Sequence, residues 1–426
     1  MKLKTSLFSG AGVGIVLAFG LGATAQAQET TITWPGAARF ANDQNLFKVR
    51  GRILVDAVFQ DFDREAPTGI DEKTRNFRGR QAFLGVEGQL NSQWAYKAEG
   101  GWVNGGSPSW DDVVIEYKPV ENASIMIGNV KSTGMENITS TRFLTFMERG
   151  PYANVADLDY YLGVVGRYWG PNWSVTGAVQ GDKLNNPDVL ASGTPGVNDA
   201  KERLAEAVRV TFAPIVDDAQ TVHFGASYRH RDHGSEAGFS YSFRPNTAIV
   251  PAGFITGATN VAASDDTFTG EFAAFWNSFS VQGEYQHIRY DGMTTTAAGA
   301  RQPDGKVKSG YAFVSWWPTG ERRRYQVPTG DFGRPRILNP VTGGGWGAVE
   351  LAARYDWVDL KGAVNAAGVN PGTYKGYTLG ANYYPFPYVR FMLNYTSGKQ
   401  ELPNTAAITQ NDLKMHVFQT RMQLDF

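Results

Sequence analysis

The sequence predicts an all-β fold, a closed antiparallel transmembrane β-barrel of about 16 strands, with 18 possible. Three observations support this prediction. The chain begins with a pattern typical of a secretory signal, its remaining length alternates apolar and polar residues with a period of two, and it ends on an aromatic residue, Phe426. Together they describe an exported chain whose strands have one face toward lipid and one toward a polar interior.

The N-terminus has the three parts of a cleaved export signal. Lys2 and Lys4 form a short basic region, residues 11–23 form an apolar region, and Ala25-Gln26-Ala27 supplies a cleavage pattern of small residues. The alternative is a membrane anchor, but the apolar run is shorter than the roughly 20 residues that a spanning helix needs. The predicted division of the chain is a signal peptide over 1–27, a periplasmic lead-in over 28–45 and a barrel domain over 46–426.

The last segment of the chain alternates most clearly. Successive side chains of a strand point to opposite sides. One face would carry Phe418, Thr420, Met422, Leu424 and Phe426, and the other Gln419, Arg421, Gln423 and Asp425. The same period recurs in 47–59, 203–212, 221–229, 348–356 and 389–395. A soluble sheet alternates too, but the export signal, the repetition and the terminal aromatic residue favour a membrane barrel.

The terminal residue has a predicted role of its own. A strand that is apolar on one face and ends in phenylalanine is the expected closing strand of an outer-membrane barrel. We therefore predict that Phe426 is an assembly signal read by the barrel-assembly machinery.

The length of the chain sets the strand count. After cleavage about 400 residues remain, which is about 25 for each of 16 strands with their turns and loops. Short turns are expected near Pro214 and at 384–387. Polar insertions predict external loops at 181–202, 244–266, 291–307, 327–346 and 398–412.

Composition excludes several classes of function. The chain has no Cys and five His, which excludes disulfides and thiolate metal sites and gives no ground to expect a metal or another cofactor. Its formal net charge is −1, so nucleic acid is not an expected partner. It carries 49 Gly, 25 Phe, 19 Tyr and 11 Trp, an enrichment that suits a barrel with aromatic girdles. No enzyme motif is present; a barrel enzyme using His223 and Ser227, or an adhesive or structural barrel, are weaker alternatives.

Several stretches resemble the phosphate-selective porin O and P family. They are residues 47–52, 80–89, 140–149, 319–323, 347–360 and 378–395, in family order along the chain. One departure is Thr141, where the family pattern would have Ser or Asn. The resemblance implies a homotrimeric 16-stranded barrel in the outer membrane of a Gram-negative bacterium, with one loop folded into the pore. It also implies a track of basic residues that passes phosphate or polyphosphate-like anions.

The alternation itself selects the side chains that would line such a pore. Inward-facing basic residues are predicted to be Lys48, Arg50, Arg52, Arg78, Arg80, Lys97, Arg203, Arg209, Arg229, Arg354, Arg390 and Arg421. A ladder of cations raises the local concentration of anions, and the arginine fork matches phosphate oxygens. Acids such as Asp56 and Glu87 share the interior, so the alternative is that charges of both signs only solvate and cross-link the wall.

The expected constriction is the segment from Lys131 to Arg149, which lacks the barrel alternation. Its anion-binding candidates are Lys131, Arg142 and Arg149, although Glu148 and Arg149 could instead pin the loop to the wall. Outside the pore, membrane lipid and lipopolysaccharide are expected partners, and the basic run 322–324 is a candidate for contact with lipopolysaccharide phosphates. The sequence thus predicts a diffusion channel for small anions such as phosphate, with a nonspecific porin as the alternative.

Overall fold

The computed structural model describes residues 31–33, 36–64, 70–184, 204–233, 238–248, 255–291, 305–362, 372–401 and 412–426. The predicted signal peptide and Arg203 lie outside the described residues. Sixteen antiparallel strands form a closed barrel. They are β3 (Asn45–Arg64), β4 (Ile70–Leu90), β5 (Trp94–Val103), β6 (Pro108–Tyr117), β7 (Ala123–Val130), β8 (Tyr161–Trp169), β9 (Trp173–Gln180), β10 (Ala205–Val216), β11 (Gln220–Asp232), β14 (Ser264–Trp276), β15 (Phe279–Asp291), β16 (Gly305–Trp316), β19 (Ala348–Gly362), β20 (Thr373–Phe386), β21 (Val389–Glu401) and β22 (Leu413–Asp425).

Six shorter strands complete the set in the described residues. β1 (Thr31–Thr33) pairs with β2 (Arg39–Ala41), which pairs with the start of β3. β12 (Gly238–Phe243) pairs with β13 (Ile255–Val261), and β17 (Arg324–Gln326) pairs with β18 (Asp331–Gly333). The segment predicted as a lead-in therefore contributes two short strands beside the first barrel strand.

The barrel closes where β22 pairs with β3. The pairing runs past the last strand residue, because Phe426 and Gly51 exchange two backbone hydrogen bonds of 2.9 and 3.0 Å. The Phe426 ring packs against Gly51, so closely that a Cβ at position 51 would lie 2.7 Å from it. The C-terminal phenylalanine thus lies in the seam that closes the barrel.

The two faces of each strand divide as the alternation predicts. On β22, Phe418 and Met422 are exposed on the outer wall, whereas Gln419 and Arg421 are buried in the interior. The prediction of a closed antiparallel barrel is confirmed, with the lower of the two predicted strand counts.

The two ends of the barrel differ in the length of their connections. The start of β3, the C-terminus and most of the short turns lie at one end, which in outer-membrane barrels faces the periplasm. One long connection, residues 317–347 between β16 and β19, also lies at this end and contains β17 and β18. The predicted external loop at 327–346 is therefore wrong. Each strand reverses the chain, so an even number of barrel strands before a connection returns it to the periplasmic end, whatever its composition.

Two long loops from the opposite end fold into the barrel. Residues 131–160 between β7 and β8, here called the constriction loop, contain helices α1 (Met135–Ile138) and α2 (Pro151–Val155). None of the helices in the described residues is long and apolar enough to cross a membrane. The connection after β11 also enters the interior, where the Asn246 amide donates to Asp356 at 2.6 Å.

Aromatic side chains mark the lower rim of the outer wall. Phe279 and Trp316 stack with ring centroids 5.7 Å apart, and Trp94 lies 4.7 Å from Tyr117. Such rings are favoured at the boundary between lipid and water. They place the periplasmic edge of the apolar band just above the short turns.

Candidate functional site: the pore interior

A polar chamber of about 530 Å³ lies inside the barrel beside the constriction loop. Its basic lining residues are Arg80, Lys131, Arg149, Lys183, Arg229, Arg231 and Arg244. Its acidic lining residues are Glu148, Asp157, Asp159 and Asp265. Among the residues the structure describes, basic side chains therefore outnumber acidic ones in this lining.

The acids of the chamber all have basic partners from the same lining. Lys183 lies 2.6 Å from Asp157 and 3.2 Å from Asp159. Asp265 pairs with Arg229 at 3.1 Å, and Glu148 pairs with Arg80 at 2.9 Å. Burial acts against ionisation of Glu148, but Arg80 and Arg421 lower the pKa of its carboxyl to about 2. Each of these four acids is thus compensated by a cation of the same lining.

Two cations of the constriction loop have no carboxylate partner among the described residues. Lys131 donates to the carbonyl of Asn137 at 3.2 Å and lies 4.4 Å from the centre of the Tyr160 ring. Arg149 donates to the carbonyls of Thr139 at 2.6 Å and Glu136 at 3.0 Å. The carbonyl dipoles orient the Lys131 and Arg149 side chains but do not neutralise their positive charge. Burial, followed by the nearby Arg149, lowers the pKa of Lys131 to about 7.

One wall carboxylate holds the start of the loop. Glu284 on β15 accepts hydrogen bonds from the backbone amides of Met135 and Glu136, both at 2.8 Å. It also accepts the hydroxyls of Tyr152 at 2.8 Å and Tyr311 at 2.6 Å. Amides at the beginning of a helical turn lack partners within the turn, so a carboxylate there satisfies them.

Wall side chains also hold the carbonyls of the loop. Arg390 donates to Leu144 at 2.6 Å, and the Asn382 amide donates to Thr145 at 2.8 Å. Arg421 donates to the carbonyl of Met147 and pairs with Asp56 at 2.6 Å. Arg390 and Arg421, which the alternation assigned to a basic track, therefore hold the constriction loop in place.

Arg354 has a comparable role. Its guanidinium pairs with Glu136 of the loop at 2.5 Å and with Asp356 of its own strand at 2.8 Å. Its positive charge is thus shared between two carboxylates.

The wall of β3 to β6 is compensated by acids. Arg50 lies 2.5 Å from both Glu87 and Glu99, and Arg52 pairs with Glu99 and Asp111. Arg142 of the constriction loop donates to the same Glu99 at 2.8 Å. Lys48 and Lys97 have acid partners as well, Glu87 at 3.1 Å and Asp112 at 2.5 Å. This wall presents ion pairs rather than a ladder of free cations.

The remaining wall cations lie apart from one another. Arg78 donates to the carbonyl of Asn104 at 3.2 Å. Arg209 pairs with Glu271 at 2.6 Å and also donates to the carbonyls of Thr329 and Gly330, at 2.7 and 2.8 Å. Arg209 therefore joins the wall to the long periplasmic connection.

That connection places a second layer of chain across the interior. Arg323 lies 3.6 Å from the centre of the Phe332 ring, and Phe332 packs with Met135 of the constriction loop. The hydroxyl of Tyr325 lies 2.7 Å from Nδ1 of His223, whose other ring nitrogen faces Glu271 at 3.4 Å.

The basic run 322–324 lies at the periplasmic end, away from the leaflet that carries lipopolysaccharide. Contact of this run with those phosphates is excluded by its position.

The chamber gathers part of the predicted set and adds to it. Lys131, Arg149, Arg80 and Arg229 line it, whereas Arg142 lies outside it beside Glu99. Sequence reasoning missed Arg231, Lys183 and Arg244. Arg231 shares the parity of Arg229 and was detectable from the alternation. Lys183 and Arg244 follow strand ends in irregular connections, where no periodic signal exists.

A closed barrel with an apolar outer wall, a polar interior and an inward-folded loop is the architecture of an outer-membrane porin. The chain belongs to the family described as phosphate-selective porin O and P, which it matches over residues 47–426. It is an outer-membrane β-barrel of the Gram-negative type.

Two relatives cover most of the chain. Porin O of Pseudomonas aeruginosa is 25% identical over 464 residues, which cover 97% of this chain and 98% of that protein. An uncharacterised protein of Caulobacter vibrioides is 27% identical over 408 residues, covering 93% of this chain and 77% of the relative.

Solved structures show the same fold at low identity. OmpT of Vibrio cholerae has a TM-score of 0.53 at 12% identity, covering 91% of this chain and 99% of that one. The anion-selective porin of Comamonas acidovorans has a TM-score of 0.53 at 11% identity, covering 90% and 100%. These likenesses concern the fold alone.

Proposed function

We propose that the protein is a passive diffusion channel with a preference for small anions, and that Lys131 and Arg149 are its filter. The single observation that carries the proposal is that neither of these two chamber cations forms an ion pair with a carboxylate among the described residues. An anion that enters the chamber gains attraction to both and releases their mutual repulsion. Four other cations of the chamber form ion pairs with acids, namely Arg80, Lys183, Arg229 and Arg231.

Inorganic phosphate is the solute that we propose for this filter. A doubly charged anion gains about twice as much from a given field as chloride, and its oxygens accept hydrogen bonds from ammonium and guanidinium groups. Family membership supports phosphate as the first anion to test. The compensated wall around Glu99 favours a second candidate, a weakly selective porin that keeps the barrel without strong phosphate binding.

The test is the reversal potential of single channels in a gradient of potassium chloride, with inorganic phosphate added in steps. We expect a potential of anion sign and a chloride current that phosphate reduces at low concentration. Lys131→Glu should move the reversal potential toward cation preference. Lys73→Glu is the matched control, because Lys73 is exposed on the outer wall.

The outcomes separate the two candidates. Anion preference without phosphate block would support the weakly selective porin, and an unchanged reversal potential in Lys131→Glu would remove Lys131 from the filter. A cation-selective wild-type channel would overturn the proposal for either anion.

We further propose that three copies assemble side by side along the wall of β5 to β9. These strands have 8 to 10 residues, whereas β10, β11 and the later barrel strands have 12 to 15. The wall of β5 to β9 is therefore shorter along the barrel axis. A trimer form is described for OmpT of Vibrio cholerae. Introducing Arg at Ile127, which is exposed on this wall, should shift the trimer to monomer on native gels. Leu379→Arg on the opposite wall is the control, and equal loss of trimer in both variants would contradict the assignment.

A further inference from the structure

Basic side chains cluster on the lipid-facing surface at the loop end of β15 and β16. Arg289 lies directly opposite Lys306 across the two strands, and His287 lies opposite Lys308. All four residues belong to the outward-facing set, with Arg289, Lys306 and Lys308 exposed. Like charges directly opposite each other in a sheet are destabilising, so this arrangement needs an anion from outside the strands.

The two acids that lie opposite the cluster on the neighbouring strands bind other groups. Asp266, opposite Arg289 on β14, accepts the Tyr228 hydroxyl at 2.6 Å and lies 2.9 Å from His230. Asp359, opposite Lys308 on β19, accepts the backbone amide of Lys361 at 3.0 Å. No ion pair forms between the cluster and an acid within the described ranges.

An apolar groove lies further down the same wall, toward its periplasmic rim. Two adjoining depressions of about 750 and 290 Å³ share Val281, Val314, Ala353 and Leu379. Small residues such as Ala312 leave the space between larger neighbours that forms the smaller depression. Trp276 and Trp316 form the lower edge of the groove.

The order of these features along β15 fixes their depth in the membrane. Arg289 is next to the loops and Phe279 is at the periplasmic rim. Tyr285 is two residues nearer to that rim than His287. The cations therefore lie at the level of the outer-leaflet headgroups. The smaller depression lies near the middle of the wall, and the larger one reaches the periplasmic rim.

We propose that this surface binds one phosphorylated acyl glycolipid of the outer leaflet, namely the lipid A part of lipopolysaccharide. Its phosphates would lie against Arg289, Lys306 and Lys308, and its acyl chains would lie along the apolar wall below them, toward the smaller depression. Charge complementarity favours this occupant, because three exposed cations match a lipid that carries more than one phosphate. The site is independent of the pore filter, since all its side chains face outward.

The test is native mass spectrometry of the detergent-solubilised porin, titrated with bis-phosphorylated lipid A, the same lipid without phosphates, or phosphatidylglycerol. We expect retention of bis-phosphorylated lipid A by the wild type. Changing Arg289, Lys306 and Lys308 together to Gln should weaken that retention on the order of a hundredfold, as expected for three basic groups near an anionic surface. Ala312→Phe, which fills the smaller depression and keeps the charges, should weaken the retention as well.

A matched variant with Lys73, Arg75 and Lys399 changed to Gln removes three outer-wall cations elsewhere and should retain the lipid. Channel conductance verifies that each variant is folded, because these positions lie outside the pore. Equal retention by wild type and the Arg289 triple variant would overturn the proposal. If the wild type retained lipid A equally well with and without its phosphates, the role of the cations would be overturned. If it retained phosphatidylglycerol in preference to lipid A, the choice of a glycolipid would be overturned.

Discussion

Lys131 illustrates how far a single charge depends on its surroundings in this pore. The side chain lies at the end of β7, donates only to a backbone carbonyl and faces Arg149 in the same chamber. Burial and that neighbour bring its pKa down to about 7. The charge of the filter is therefore divided between a permanent arginine and a lysine that titrates near neutrality.

The first prediction concerns the pH dependence of selectivity. Lys131 is cationic below its lowered pKa and neutral above it, so anion preference should fall as pH rises through about 7. Reversal potentials measured at a series of pH values will show this decline. Lys131→Gln should remove the decline, and Lys73→Gln should retain it. A wild-type reversal potential that is flat across neutral pH would contradict the assignment.

Phe426 carries a prediction about assembly. Its backbone bonds to Gly51 extend the seam between the last and first barrel strands, and its ring covers Gly51. Deleting Phe426 should lower the yield of folded barrel in the outer membrane, measured by its shift on unheated gels. Phe426→Tyr keeps the backbone bonds and the aromatic ring and should assemble normally. Normal yield of the deletion would show that the residue is dispensable for assembly.

The constriction loop shows how an irregular element is held within a regular wall. Its start is fixed by Glu284, and its later carbonyls are fixed by Arg390, Asn382 and Arg421. Because the partners come from strands on different sides of the barrel, the loop is fastened at several points of the wall. This explains why several inward arginines are unavailable to solutes.

One prediction about the constriction loop concerns Glu284. Glutamine at this position cannot accept all four donors, and each buried donor left without a partner costs about 1–3 kcal/mol. We expect Glu284→Gln to loosen the loop and to increase the open-channel current noise in single-channel records. Glu206→Gln on the exposed outer wall is the control. Noise equal to that of the wild type would mean that the other anchors suffice.

The long periplasmic connection is the other irregular element of the interior. Arg209 holds it to the wall, and Phe332 packs it against the constriction loop. Solutes that cross the barrel pass segments of chain that are inserted from both ends. The strands determine only the outer dimensions of the pore, and these insertions narrow it.

For the whole molecule, the distribution of charge matters more than its sum. The chain has a formal net charge of −1, yet basic residues outnumber acidic ones in the described lining of the chamber. Other interior acids either pair with wall cations, as Glu99 does, or hold the inserted chain, as Glu284 does. A channel can therefore favour anions although the protein as a whole is slightly acidic.

The corresponding prediction concerns ionic strength. The Debye length falls from about 10 Å at 0.1 M salt to about 3 Å at 1 M, so the field of a few uncompensated cations is screened at high salt. The ratio of anion to cation permeability should decrease as the mean salt concentration of a fixed-ratio gradient rises. A ratio that is independent of salt would point to direct coordination of the permeating ion rather than to a diffuse field.

How much could be predicted depends on the range of the interactions involved. The sequence predicted the closed barrel, with sixteen as the lower of the two strand counts. It also predicted that residues such as Arg229 and Arg421 face the interior. A period of two is a local property, because neighbouring side chains of any strand point to opposite faces. The signal-like pattern of the first residues and the aromatic C-terminus are local patterns too, and from them an outer-membrane location was predicted.

Which cations remain available was decided only by the tertiary structure. Arg421 and its partner Asp56 are 365 positions apart, and Arg354 and Glu136 are 218 apart. Such pairs form because barrel closure and loop insertion bring distant residues together, and no local pattern encodes these distances. The position of the connection at 317–347 is likewise not encoded locally. It lies at the periplasmic end of the barrel because of the number of barrel strands that precede it. The sequence by itself determined the wall, and the fold determined which of its charges a solute meets.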